Sequence, residues 1–331
     1  MLRSLILWGL FVVVVAAGLG AWGSWRLVNQ PMVAEGQPMR VTVESGMKFK
    51  AVARAIESAG AFPYPRALGF VATWRGQADR IKAGVYEIRP GMTPLELLDR
   101  MVRGDSLQDT VTLVEGWTFK QFRATLDAHP SLRHDSLRLS EREILERVGA
   151  IETQAEGLFF PDSYRFGVGT SDLVVLRQAY GRMRELLERT WVARSSNIPL
   201  DSPYALLTLA SIVEKETGKQ DDRSAIAAVF VNRLRLGMKL QSDPTVIYGM
   251  GSKFDGNLRR TDLETDTPYN SYTRSGLPPS PIAAPGLAAL KAVANPSASG
   301  ALYFVARGDG SSEFSATLEE HNRAVARYQR R

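Results

Sequence analysis

The chain has no cysteine. That excludes a disulfide framework, a thiolate nucleophile and any zinc site built on cysteine. Histidine is scarce: His129, His134 and His321 are all there are, and no HExxH-type spacing joins them. His129 and His134 fall in a polar Pro/Ser/Arg stretch where solvated side chains are expected. His321 is expected to be a capping or surface residue of a terminal helix. No metal ligands and no cofactor are therefore expected. Dense Lys/Arg tracts are also missing, because the net charge of +6 comes from scattered arginines. A nucleic-acid partner is thereby disfavoured. What is left for catalysis is carboxylates, hydroxyls and lysines. With 44% hydrophobic and 23% charged residues the chain should fold, and 331 residues leave room for two or three domains.

One long apolar run is present. No residue from Ser4 to Trp25 is charged, and Leu5 to Val15 is almost wholly apolar. That length suffices for a helix to cross a hydrocarbon layer of about 30 Å. Arg3 and Arg26 bracket it, with Trp8, Trp22 and Trp25 placed for the two interfaces. A cleaved signal peptide is the rival reading, since Ala16-Ala17-Gly18 offers small residues. Apolar character continues into Leu19, Ala21 and Trp22, which favours an uncleaved anchor over residues 1–26. A single-pass arrangement follows, with a short cytoplasmic start and everything beyond about residue 30 outside.

Residues 27–40 read as a Pro/Gly linker. A small pattern then repeats. Val41-Thr-Val-Glu-Ser-Gly-Met-Lys returns as Tyr86-Glu-Ile-Arg-Pro-Gly-Met-Thr, and more loosely as Val111-Thr-Leu-Val-Glu-Gly-Trp-Thr. Each copy has alternating β-formers, a glycine turn and a helix start. Helices over about 47–60 and 64–75 lie between the first two strands, giving a β-α-α-β unit over 41–110 that resembles a LysM-type glycan-binding module. A plain packing domain begins the same way. Ser45-Gly-Met-Lys48 matches the S-x-x-K serine motif, but no SDN or KTG element follows. Residues 119–150 read as polar, charged helices, and Glu156-Gly-Leu-Phe-Phe-Pro-Asp-Ser-Tyr164 as an aromatic core corner. A charged helix is expected over about 171–195.

The most informative segment opens with Ser202 as N-cap and Pro203 at the first helical position. Tyr204 to Val213 is apolar around nearly its whole circumference, the pattern of a buried helix. It carries Glu214-Lys215-Glu216 at its carboxyl end, before Gly218. Burial raises a carboxyl pKa, which suits a general acid near neutral pH. Residues two apart on a helix differ by about 200° in direction, so Glu214 and Glu216 cannot both flank one glycosidic bond. The pattern alone does not choose between them. Beyond lie irregular Gly/Pro loops rich in Asn, Gln, Ser and Tyr, groups suited to a neutral polyol in a groove.

Ser211-Ile-Val-Glu-Lys-Glu216, Asn232-Arg-Leu, Leu240-Gln-Ser-Asp-Pro-Thr-Val-Ile-Tyr-Gly249, Tyr269-Asn-Ser-Tyr272 and Gly276-Leu-Pro-Pro together resemble the YceG-like endolytic murein transglycosylases, a family of lytic transglycosylases. Glu156-Gly-Leu-Phe-Phe-Pro-Asp162 and Tyr303-Phe-Val-Ala306 fit the same pattern. The resemblance implies an α+β protein with a membrane anchor, a LysM-like module and an α+β catalytic domain over 111–331. It also implies that Glu214 is the catalytic member of the pair. Glu156, Asn232, Gln241, Asp243, Tyr248 and Tyr272 are candidates to line a glycan groove, and Asp243, Asp262 and Glu264 are carboxylates that would assist by charge.

The implied reaction breaks the bond between N-acetylmuramic acid and N-acetylglucosamine. Glu214 protonates the leaving oxygen, then takes a proton from the C6 hydroxyl as it closes on C1 to a 1,6-anhydro ring. No metal or cofactor is required. The implied setting is the inner membrane with the catalytic domain in the periplasm, acting on nascent glycan strands to end their elongation, with peptidoglycan synthases as partners. Two rivals stand beside it: a muramidase-type hydrolase pairing Glu214 with one of the aspartates, and a non-catalytic glycan-binding anchor.

Overall fold

The computed structural model describes residues 2–32, 37–217 and 219–329. Residues 33–36 of the expected linker, and Gly218 after the long apolar helix, lie outside the described residues. The fold mixes helices with short strands, and the chain divides into two compact units. The first is Met1–Asp109 with Arg165–Thr170, and the second is Thr110–Tyr164 with Ser171–Arg331.

In the first unit α1 spans Leu2–Val28. Its stretch Ile6–Val28 is long and apolar enough to cross a membrane. Side chains from Ile6 to Leu19 have no protein to pack on and stand exposed. The last turns differ: Val28 is fully buried, Trp25 meets Trp74 edge-on at 6.3 Å, and Arg26 sits over the Trp22 ring. Helix therefore extends two residues past the expected start of the linker.

Strand β1 (Met39–Val43) is followed by α2 (Phe49–Ser58), α3 (Pro65–Trp74), β2 (Gly84–Ile88) and α4 (Pro94–Arg103). The expected strand-helix-helix-strand order is present, with β1 and β2 antiparallel and Val41 opposite Tyr86. Alternation decides which residues turn inward. Val41, Val43, Tyr86 and Ile88 are buried with Val52 and Ile56 of α2, Leu68 and Val71 of α3, and Leu97 of α4. Each such side chain stabilises the unit by about 1.5–3 kcal/mol. The S-x-x-K match is a turn: Met47 N–H donates to Glu44 O, and Gly46 has φ +80.

The repeated sequence pattern is a repeated structure. Gly46, Gly91 and Gly116 have φ +80, +83 and +74, a region that costs other residues strain. Each turn follows a strand and leads into a helix, the third time from β3 (Gln108–Thr112) into α5 (Phe119–Asp127). Thr93 and Thr118 close capping boxes with Glu96 and Gln121, which fixes where α4 and α5 begin.

From α5 the chain runs on through β4 (Leu132–Arg133), α6 (Glu141–Val148), β5 (Ser163–Gly167), β6 (Thr170–Ser171) and α7 (Asp172–Val192), of which Arg165–Thr170 belong to the first unit and the rest to the second. Then follow α8 (Pro203–Glu216), α9 (Gln220–Arg235), α10 (Asp243–Met250), α11 (Arg260–Glu264) and α12 (Leu287–Ala294). Two strands, β7 (Tyr303–Ala306) and β8 (Ser312–Ser315), form an antiparallel hairpin before α13 (Leu318–Tyr328). Every residue from Leu206 to Val213 is buried, as the all-round apolar pattern of α8 requires. The Leu158-Phe-Phe160 corner is buried too, with Phe159 stacked on Phe119 at 4.9 Å.

The histidines depart from expectation. His129 and His134 are half-buried rather than solvated, and the His134 Nδ1 is wholly enclosed. His321 is no cap, since it stacks on Tyr303 at 5.2 Å, and burial lowers its pKa. Leu126, Leu132 and Phe122 fold this stretch inward, which residue-by-residue polarity could not reveal.

Candidate active site

Helix α8 starts where Ser202 Oγ accepts from Ala205 N–H at 3.2 Å, with Pro203 in the first turn. Its apolar body anchors it, and its last turn delivers two glutamates in different directions. Glu214 Oε2 accepts the Gly286 N–H at 3.0 Å, and Oε1 lies 3.6 Å from Arg223 Nη2. Only 7% of the Glu214 side chain is exposed. Burial is the main cause that raises its pKa. The Gly286 N–H and Arg223 oppose that, the charge of Glu115 adds to it, and Lys215 opposes it weakly.

Arg223 enters from the first turn of α9 and is itself buried, with an enclosed Nε that no group among the described residues accepts. Gly286 stands at the N-cap of α12. The loop before it is clasped to the turn after β3: Gly116 N–H donates to Ala284 O and Ala284 N–H to Trp117 O, both at 2.8 Å. Lys215 Nζ adds a bond to Gly116 O at 3.2 Å. The same turn brings the Glu115 carboxylate against Gly286. Motif reading missed Glu115, Arg223 and Gly286. One signal was available for Glu115: in the third copy of the repeat an acid precedes the turn glycine, where the other copies have Ser and Pro.

Glu216 faces elsewhere. It accepts a short hydrogen bond from Ser242 Oγ. Burial raises its pKa, the Ser242 bond lowers it, Asp243 raises it and Arg233 lowers it. Asp243 in turn accepts from Tyr272 Oη at 2.5 Å, and Gln241 Oε1 accepts from Arg233 Nη1 at 3.3 Å. Three groove candidates, Gln241, Asp243 and Tyr272, therefore gather about Glu216 rather than Glu214. Gln241 has φ +50, the one positive value at a non-glycine among the described residues, and so holds strain of about 1–3 kcal/mol.

A third cluster lines a cavity of about 1050 Å³ bounded by Thr118, Phe119, Gln154, Glu156, Tyr248 and Tyr269, among others. Glu156 Oε1 accepts the Phe119 N–H at 2.9 Å and Oε2 the Tyr248 hydroxyl at 3.2 Å. Burial pushes the Glu156 carboxyl up to about 7 against those bonds, and burial with the Glu156 charge raises Tyr248. The rings of Tyr248 and Tyr269 meet at 4.8 Å, a flat-faced, hydroxyl-bearing wall. Glu156 and Tyr248 are thus brought together. Asn232 is apart from all three centres: its amide nitrogen donates to Ser299 O and Ala301 O, pinning that loop.

Neither Asp262 nor Glu264 bonds to Glu214. Asp262 accepts from Arg259 N–H, and Glu264 pairs with Arg260 on the same short helix. One group of described residues, Asp127, His134 and Asp172, gathers ligand-type atoms within 4.8 Å of one another. Asp172 there accepts Ser136 N–H and Oγ and Leu173 N–H, so it anchors the start of α7.

Residues 41–327 match the model of the YceG-like family. A Bacillus subtilis (strain 168) protein named endolytic murein transglycosylase is 29% identical over 307 residues, covering 88% of this chain and 84% of its own. A Streptococcus pneumoniae (strain D39) protein of the same name is 29% identical over 323 residues, which are 87% of this chain and 58% of that longer protein. A 2.6 Å crystal structure of a YceG-like protein from Listeria monocytogenes superimposes with a TM-score of 0.53 at 28% identity, covering 86% of this chain and 98% of that one.

Proposed function

The chain belongs to the YceG-like family, and on that premise we propose that it is a membrane-anchored endolytic lytic transglycosylase, a lyase that cuts peptidoglycan glycan strands with Glu214 as acid and then base. Relatives in Bacillus subtilis and Streptococcus pneumoniae that bear the name endolytic murein transglycosylase support the substrate. The observation that carries the chemistry is the setting of Glu214: a sheltered carboxyl, raised by burial, with a cation and a backbone N–H ready for its ionised form.

Protonated Glu214 donates to the oxygen between N-acetylmuramic acid and N-acetylglucosamine, and the C1–O bond breaks. The Glu214 carboxylate left behind is held by Arg223 and the Gly286 N–H. It next removes the proton of the muramic C6 hydroxyl, whose oxygen closes on C1. No water is consumed, and Glu214 ends protonated for another cycle. The cavity walled by Glu156, Tyr248 and Tyr269 begins at Thr118, three residues after Glu115, and is assigned to neighbouring sugars of the strand. The network of Gln241, Asp243 and Tyr272 about Glu216 is assigned to shaping the loop beside it.

Helix α1 serves as an uncleaved single-pass anchor in the inner membrane, with the remainder in the periplasm, where newly made glycan would be met and elongation ended. The β-α-α-β unit is assigned as a LysM-like glycan-holding module, and peptidoglycan synthases are the fitting partners. Incubating the full-length chain in detergent micelles with purified peptidoglycan, then scoring product ends by mass spectrometry, tests the reading. Anhydromuramyl ends are expected from the native chain and none above background from Glu214→Gln. Reducing ends carrying an added water would favour a hydrolase, and full activity in Glu214→Gln a scaffold.

A further inference from the structure

Glu115 is the acidic group beside Glu214 for which the chemistry above has no use. Gly286 has φ −77 and ψ 171, a conformation open to any residue, so the backbone does not demand glycine there. Space does. A Cβ at position 286 would overlap the Glu115 carboxylate. Gly286 also gives its N–H to Glu214. Two carboxylates from separate elements therefore meet over one glycine, which is small enough to admit both.

Their environments differ. Glu214 is sheltered, whereas Glu115 is exposed and engages no hydrogen bond or ion pair among the described residues. The turn that carries Glu115 is firmly held. Gly116 is left-handed and bonded through N–H to Ala284 and through C=O to Lys215, and Trp117 C=O accepts from Ala284. A free carboxylate on a fixed backbone, beside a proton donor, is the arrangement that answers a cation forming in the reaction.

We infer that Glu115 is the charge-stabilising carboxylate of the cutting site: lying over Gly286 next to Glu214, it faces the sugar ring whose C1 becomes positive as the glycosidic bond breaks. The inference rests on the reading of Glu214 given above. Glu115 gains and loses no proton and forms no bond. The bond electrons leave with the oxygen that Glu214 protonates, and the C6 oxygen supplies the new pair to C1. The charged groups facing Glu214 are Arg223 from α9, Lys215 on its own helix and Glu115 from the turn after β3. Removing Glu115 leaves the two cations unopposed, so Glu214 should hold its proton less tightly.

The test uses the full-length chain in detergent micelles on purified glycan strands, with kcat, KM and pH profiles for four variants. Glu115→Gln is expected to lose about 100-fold in kcat with KM within about 3-fold. The alkaline limb of its kcat/KM profile should move to lower pH. Glu115→Ser, a second neutral variant, should behave alike, and Glu115→Asp should recover at least about 10-fold. An unchanged kcat, a loss confined to KM, or an unmoved alkaline limb in the folded neutral variants would overturn the inference. Glu214→Gln separates the two claims. If it is inactive while Glu115→Gln is native-like, the inference alone falls; if it is fully active, the reading of Glu214 falls with it.

Discussion

Two glutamates at the end of one helix, a residue apart from being neighbours, have been given opposite surroundings. Glu214 and Glu216 are both buried enough to have raised pKa values. Glu216 is locked to Ser242, with Asp243 and Tyr272 behind it, so its carboxyl is already committed to the protein. Glu214 is met by a backbone N–H, by Arg223 at the longer distance of 3.6 Å, and by an exposed carboxylate across a glycine. The lesson is that shelter alone does not make an acid/base. What distinguishes Glu214 is that no side-chain hydroxyl among the described residues ties up its carboxyl, as Ser242 ties up Glu216, and that an exposed carboxylate stands beside it across Gly286.

The sharpest way to break the comparison is to exchange the fates of the pair. Glu214→Gln should cost at least about 100-fold in the rate of strand cutting, whereas Glu216→Gln should keep activity within about 10-fold. In stability the two should respond with the same sign, since burial raises both. A carboxyl whose folded-state pKa is raised contributes stability at acid pH that is lost as pH rises through the folded value. Melting curves should therefore show Glu216→Gln gaining on the native chain as pH is raised, and no such gain in acid.

A smaller effect is expected at Arg223. Replacement by Gln removes the cation that opposes burial, so the alkaline limb of kcat/KM should move to higher pH, opposite in direction to the Glu115 variants. A pH–rate series of the two neutral variants side by side checks the signs. The least effect belongs to Glu156, pushed up to about 7 by burial. Its contribution to stability is present below the ordinary carboxylate range and fades as pH rises through about 7. Glu156→Gln should accordingly flatten the melting-temperature profile between about pH 4.5 and 7, where the native chain declines.

Much of this framework was legible because its causes are local. The three strand–glycine–helix units are visible as β-formers followed by a turn that only glycine adopts readily. The burial of α8 is visible because Leu206 to Val213 leave no polar stripe. That the glutamates part company follows from helix geometry alone. Their separate partners do not. Gly286 lies 72 residues beyond Glu214, and Gly116 lies 99 before Lys215. Nothing in the composition of Ala283-Ala-Pro-Gly286 marks it as the wall of a site. Asn232 shows the same limit: its polarity suggested a groove, while the pairing of its amide nitrogen with Ser299 and Ala301 is set by tertiary packing. His134 was hidden likewise, since its enclosure depends on α5 and α7 closing around it.

The central claim is that one carboxyl acts twice and water not at all. Digestion of purified peptidoglycan by the full-length chain in ¹⁸O-labelled water measures this directly. Muramyl ends lighter by one water and free of ¹⁸O are the predicted result. Ends that carry the label at C1 would contradict the account.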